Sequence, residues 1–299
     1  MKANRDYTQK KLGQFDSLLV LEFVFLIEES WIGVKAIIKL TNSTASLQMK
    51  NTDFFFLLVR LVLGYIYFSS GINKLAGGHF GHLIGPPDLI KEMTEYGFAS
   101  LGYLVAISQV LIGLLVMTQR YSLLGLICLV PLSGGILFYT IIQSWTGTPY
   151  VNAVILSLVL ASLFYEYHTV KVLWSTELNK SSPSKAAQFF PNALLPFGGI
   201  VVGLLMATLA GNSSPLFLSI IGMVLYLGIA LYICTRTIYP KKLQLITLYL
   251  YFLAIIAVTS SKAAELLSTP AMFLFTIMTL LGFITFGVSI FIKPRTLST

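Results

Sequence analysis

Long apolar runs alternate with short polar joins along most of the chain. Eight runs are long enough to cross a bilayer, at about 54–74, 99–118, 121–144, 150–167, 193–211, 215–235, 243–260 and 271–292. At ~1.5 Å rise per residue, roughly 20 apolar residues span the hydrocarbon core as a helix. Joins such as Thr146-Gly147-Thr148-Pro149 and Gly211-Asn212-Ser213-Ser214-Pro215 are built of turn-forming residues. Several joins are so short that the helices they link must run antiparallel. The runs lack the apolar–polar alternation of barrel strands, and open backbone has no hydrogen-bond partners in lipid. The predicted fold class is therefore all-α, a polytopic membrane helix bundle with about eight transmembrane helices.

A further apolar stretch, 18–40, is broken by Glu22, Glu28, Glu29, Lys35 and Lys39. On a helix these charges fall within about 140° of arc, which predicts an N-terminal amphipathic helix lying at the membrane interface. A partner-docking helix is the alternative. The polar segment around Ser181-Ser182-Pro183-Ser184 divides the spans four and four. The expected organisation is a cytoplasmic segment with the amphipathic helix at 1–50, a four-helix bundle at 51–168, a cytoplasmic linker at 169–191 and a second four-helix bundle at 192–299. A short surface helix is expected at 88–96, after Pro86-Pro87.

Composition agrees with this picture: 56% of residues are hydrophobic and 11% charged, against about 25% charged in a soluble domain. The first 16 residues are polar and basic, with no apolar core or small-residue cleavage site behind them, which argues against a cleaved signal peptide. The net charge of +8 is mainly a topology signal. If the eight spans alternate, 16 of the 20 Lys and Arg residues fall on the N-terminal side, and only Lys74, Lys91 and Lys262 on the other. The positive-inside rule then puts both termini in the cytoplasm. Basic residues flank apolar spans, so membrane lipid headgroups are their expected partners and nucleic acid is not.

Arg60 stands inside the first span, where a charge costs at least ~2.5 kcal/mol unless something compensates it. Arg60, Gly64, Tyr67, Gly71 and Lys74 step by four and three, so they share one helix face within about 80° of arc. The second span repeats the arrangement with Gly102, Ala106, Gln109, Gly113 and Arg120, and the two seams should face each other. Glu166, at the end of span four, lies within ~10 Å of Arg60 in depth. Two readings stand side by side: a polar pocket for a quinone head group, an anion or a lipid phosphate, and an Arg that ties helices together through Gln109 or Glu166.

His79 and His82 form an H-x-x-H pair that could contribute to a metal site, with Asp88, Glu92 and Glu95 near in sequence. A solvated loop is the commoner reading of such a pair. Cys128 and Cys234 stand alone and far apart, which argues against thiol–disulfide chemistry. No nucleotide-binding glycine motif or serine-centred nucleophile elbow is present, and no catalytic residue is assigned.

The first half resembles the DoxX family of four-helix integral membrane proteins over about 50–168. The resemblance is carried by R-L-V-L-G-Y-I-Y-F-S-S-G-I-N-K-L (Arg60–Leu75), G-F-A-S-L-G-Y-L-V-A-I-S-Q-V-L-I-G-L-L (Gly97–Leu115) and the basic turn at Arg120. It implies a bacterial or archaeal cytoplasmic-membrane protein associated with redox systems; one relative is a small subunit of a thiosulfate:quinone oxidoreductase. Arg60, Gly64, Gly71 and Lys74 would match the family's first-helix motif. Gln109 departs from it, standing where the family often has a Glu, a carboxylate suited to proton-coupled quinone chemistry. The expected role is an accessory or structural subunit of a multi-subunit, redox- or quinone-linked membrane complex, with other membrane-protein subunits as partners and no enzyme activity of its own. Quinone is the cofactor such a complex would use, and none is assigned to this chain. The alternative is a transporter or lipid- or quinone-binding protein using the Arg60 seam.

Overall fold

The protein is described here from a computed structural model covering residues 49–86, 88–172, 184–236 and 242–262, with 277, 279–282 and 284–288. The expected amphipathic helix at 18–40 and much of the expected eighth span lie outside the described residues. Within them the fold is all-α, and seven helices are long and apolar enough to cross a membrane. They are α1 (Asn51–Leu75), α3 (Ala99–Met117), α4 (Ser122–Ile142), α5 (Thr148–Tyr165), α8 (Leu194–Leu209, extended by a 3-10 turn at Ala210–Asn212), α9 (Pro215–Arg236) and α10 (Lys242–Ser260). Their bounds follow the hydropathy runs to within a few residues. Short helices fill the joins: α2 (Leu89–Glu95), α6 (Tyr167–Val172) and α7 (Lys185–Phe189). The described part of the expected linker at 169–191 is thus largely helical.

Local chemistry sets the helix ends. The Lys50 amide donates to Asp53 Oδ2 at 3.1 Å, satisfying a group that opens α1. Asp53 in its first turn and Lys74 in its last both complement the helix dipole. α5 begins after Gly147 at φ +81°, with Pro149 near its start.

α1 sits at the centre. Leu57, Leu61, Tyr65, Phe68 and Ile72 point into one apolar cluster, shared with Val110 and Leu114 of α3, Ile200 and Met206 of α8, and α9 and α10 residues such as Tyr226 and Phe252. Leu63 and Tyr67 face a second cluster with Val116 of α3, Leu126 and Leu129 of α4, and Ile155 and Val159 of α5. α1 and α3 cross at their small residues, as the two seams predict. A methyl added to Gly64 would lie 2.7 Å from the Gly113 carbonyl oxygen, and one on Gly71 would lie 2.6 Å from that of Ala106. No side chain fits between backbones that close.

The loop after α1 straps the two clusters together. Phe80 is fully buried in the first cluster, and its amide donates to Asn73 Oδ1 at 3.2 Å. Gly81 rests on the backbone of Val258 at the end of α10, leaving no room for a Cβ.

Gly113→Ala tests the crossing, since its methyl would meet the Phe68 backbone nitrogen at 2.5 Å. The expected loss is ~1–3 kcal/mol of stability, the usual cost of overpacking. It would register as a lowered thermal midpoint in detergent; an unchanged midpoint would refute the close approach.

Candidate functional site

The two cations of α1 have different surroundings. Arg60 is 3% exposed and Glu166, capping the end of α5, is 2% exposed. Arg60 Nη2 donates to Glu166 Oε1 at 2.7 Å, the single salt bridge among the described residues. Glu166 also receives the amides of Ala186, at 3.3 Å on Oε1, and Lys185, at 2.9 Å on Oε2. Its carboxylate therefore pins the start of α7 against the bundle. Ser184 caps that helix by accepting from the Ala187 amide at 3.2 Å, and Arg120 Nη1 donates to the Ala187 carbonyl at 3.2 Å. Tyr165 donates to Asp53 Oδ1, stacks on Phe56, and carries Lys185 Nζ 3.8 Å above its ring. Tyr165 thereby joins α1, α5 and α7 at this node.

The cavity beside Arg60 has a volume of about 10 Å³, with Gln119 and Tyr165 among its walls. That is at most the room of one water molecule. The guanidinium is thus compensated within the chain, and the cavity beside it among the described residues is too small for a ligand.

Lys74 presents the opposite case. It is 5% exposed, and no carboxylate pairs with it among the described residues. Its Nζ points back one turn and donates to Ser70, at 2.5 Å to Oγ and 3.4 Å to the carbonyl. Lysines near helix ends ordinarily reach outward to the interface; this one is turned inward. Gly85, at φ +120°, packs over it, since a methyl there would lie 2.5 Å from Ser70 Oγ and 3.1 Å from Lys74 Nζ. Glycine is required at Gly85 for both backbone and space.

Lys74 lines a cavity of about 380 Å³ bounded by α1, α2, α3, α4 and α5 and by the loop Ile84–Pro86. Tyr67, Ser70, Lys74, Gln109, Thr140 and Asn152 supply polar groups, with Tyr139, Trp145 and Thr148 nearer the loop end of the wall; most of the rest is apolar and includes Ile66, Met93, Val105, Ile136 and Ile155. Gln109 Oε1 is buried without a hydrogen-bond partner. Leu101, Pro131 and Gly135 are exposed members of the lining, so the mouth opens sideways between α3 and α4. Pro131 removes a backbone hydrogen bond from α4 at this level.

The structure thus divides the residues singled out in the sequence. Arg60 and Glu166 meet at one end of the bundle. Gly64, Gly71 and Gly113 form the α1–α3 crossing. Tyr67, Lys74 and Gln109 line the cavity. His82 Nε2 lies 2.9 Å from the Gly85 carbonyl and helps hold the loop over Lys74. No group of three His, Cys, Asp or Glu gathers among the described residues, so His79 and His82 have no third metal ligand there. Sequence reasoning missed the α7 amides, although Ser184 ahead of Lys185-Ala186-Ala187-Gln188 is a helix-start signal. It also missed Ser70, Thr140 and Asn152, for which the pattern carries no signal.

Comparison with known families matches residues 55–148 to DoxX. No curated protein and no solved structure matches the chain. The matched segment runs from α1 to the first residue of α5 and holds every cavity-lining residue except Asn152 and Ile155. Glu166 and the helices from α6 onward lie beyond it.

Either Arg60→Met or Glu166→Gln alone should cost ~3–5 kcal/mol by stranding a buried partner. The double variant should lose less than the sum of the two by at least ~1 kcal/mol. Strict additivity of the thermal midpoints in detergent would refute the pairing.

Burial pushes the His82 imidazole below its ordinary 6.5, and the nearby charges of Lys74 and Lys262 add to that, against hydrogen bonds to the Gly85 and Phe80 backbone. The closed loop therefore favours the neutral ring. Its contribution is complete above 6.5 and is lost as pH falls from there through the lowered value. After correction for the intrinsic base-catalysed exchange rate, the protection factors of the amides in residues 79–86 should fall below about pH 6.5 in the wild type and stay constant in His82→Gln.

Proposed function

We propose that this multi-pass membrane protein holds one small amphiphile, lipid- or quinone-like, inside the bilayer in the cavity between α1, α3, α4 and α5. The carrying observation is that volume of about 380 Å³, with its polar groups gathered on a few residues and its mouth facing sideways. Ligand pockets typically run ~300–1,000 Å³ with mostly apolar walls and few polar groups. A sideways mouth suits a ligand that partitions into lipid before binding. With both termini cytoplasmic in a bacterial or archaeal inner membrane, the arrangement favoured by the basic residues, the cavity belongs to the outer half of the bilayer.

The subunit role expected from the sequence is the second reading. It is favoured by the lining itself, one cation with hydroxyls and amides, which suits holding a molecule for a partner that acts on it. Purification from native membranes with a stoichiometric companion would support it, and recovery of the chain alone would count against it.

Gly135→Trp tests the binding reading. A Cβ at Gly135 meets nothing within 4 Å, so the variant should fold while its indole covers the mouth. Small molecules extracted from purified wild type should include about one equivalent of an amphiphile that the folded variant has lost. Equal amounts in both would overturn the proposal.

A further inference from the structure

We infer that the head group of this ligand is an anion carried on a single aliphatic chain, lodged against Lys74 and Ser70, with Gln109 beside it. The inference rests on the ligand-holding reading above and adds the charge and the class of the ligand. Three observations carry it.

The first is the contrast between the two cations of α1. Arg60 has a carboxylate at 2.7 Å, whereas Lys74, equally buried, has only Ser70 among the described residues. An ammonium offers three donors, and every partner it has among the described residues is an oxygen of the neutral Ser70. A charge at such depth without an anionic partner is costly even at a helix C-terminus, and an anion entering the cavity would supply the counter-charge that no described carboxylate gives.

The second is position. Lys74 lines the cavity, and its Nζ is turned inward onto Ser70 and covered by Gly85. Gln109, on the facing helix at the level of Ser70, adds a second buried polar group in the same lining. Its amide can present either oxygen or nitrogen by a half-turn.

The third is size. About 380 Å³ holds a single chain with a compact head, whereas a second acyl chain would have to lie outside the mouth. The apolar lining, from Ile66 across to Ile155, suits the chain. The head chemistry has two sources, a carboxylate or a monoester phosphate, and both place a charge-assisted acceptor on the ammonium.

Trp145 lines the cavity and provides the readout. Full-length protein in nanodiscs of phosphatidylcholine is titrated with three brominated twelve-carbon probes, a carboxylate, a phosphate monoester and an alcohol, at about pH 8, where the carboxylate is ionised. The expected result is saturable quenching of tryptophan fluorescence, absent in Trp145→Phe, with at least one anion binding tenfold or more tighter than the alcohol. Lys74→Gln should bring that anion down to the affinity of the alcohol while the alcohol still binds. A preference for one anion over the other identifies the source of the head.

Equal affinity for all three probes in the wild type overturns the inference and leaves the cavity reading intact. Absence of saturable quenching by any probe sinks both. The wild-type comparison of anion with alcohol stands alone if Lys74→Gln does not fold.

Discussion

A guanidinium and an ammonium on one apolar helix force that helix into the middle of the bundle. On the lipid face neither cation would find partners. α1 is accordingly wrapped on both sides, by α8, α9 and α10 through one apolar cluster and by α4 and α5 through the other, with α3 pressed along its glycines. The close α1–α3 crossing also fixes how far apart Gln109 and Ser70 stand. The rest of the architecture is arranged around the needs of this helix.

The two ends of α1 solve the same electrostatic problem differently. At the Arg60 end the carboxylate of Glu166 receives three donors, one guanidinium and two backbone amides, and gathers α1, α5 and α7 at a single point. That end is dense and closed. At the Lys74 end the helices enclose a cavity of about 380 Å³, α4 loses a backbone bond at Pro131, and a loop held by His82 and Gly85 lies over Lys74. Rigidity at one end and space at the other come from the same helix.

Much of this was legible in the residue pattern, for a physical reason. Lipid tolerates only closed backbone, so hydropathy marks helices with few alternatives, and the seven described spans appear close to where they were expected. Spacing also put Gly64, Gly71 and Lys74 on one face and Arg60 at the depth of Glu166. Spacing says which side chains share a face but not how far apart two facing helices stand. The α4 wall of the cavity therefore left no trace, although Tyr67, Lys74 and Gln109 of the seam line its other side: Pro131, Gly135 and Ile136 belong to an apolar helix that reads as packing. α7 was hidden for another reason. Five residues bury too little to announce a helix, and this one is held by Glu166 from a distant part of the chain.

Phe80 and Gly81 carry one more consequence. This short loop is anchored among α9 and α10 at one point and rests on Ser70 and Lys74 at another, only four residues along. The matched DoxX segment is therefore not a detachable module in this chain. Severed from α9 and α10 it would bare Phe80, Phe68 and Tyr65 to lipid and lose the footing of the cover above Lys74. Grafting experiments that treat it as a cassette should carry its flanking helices along.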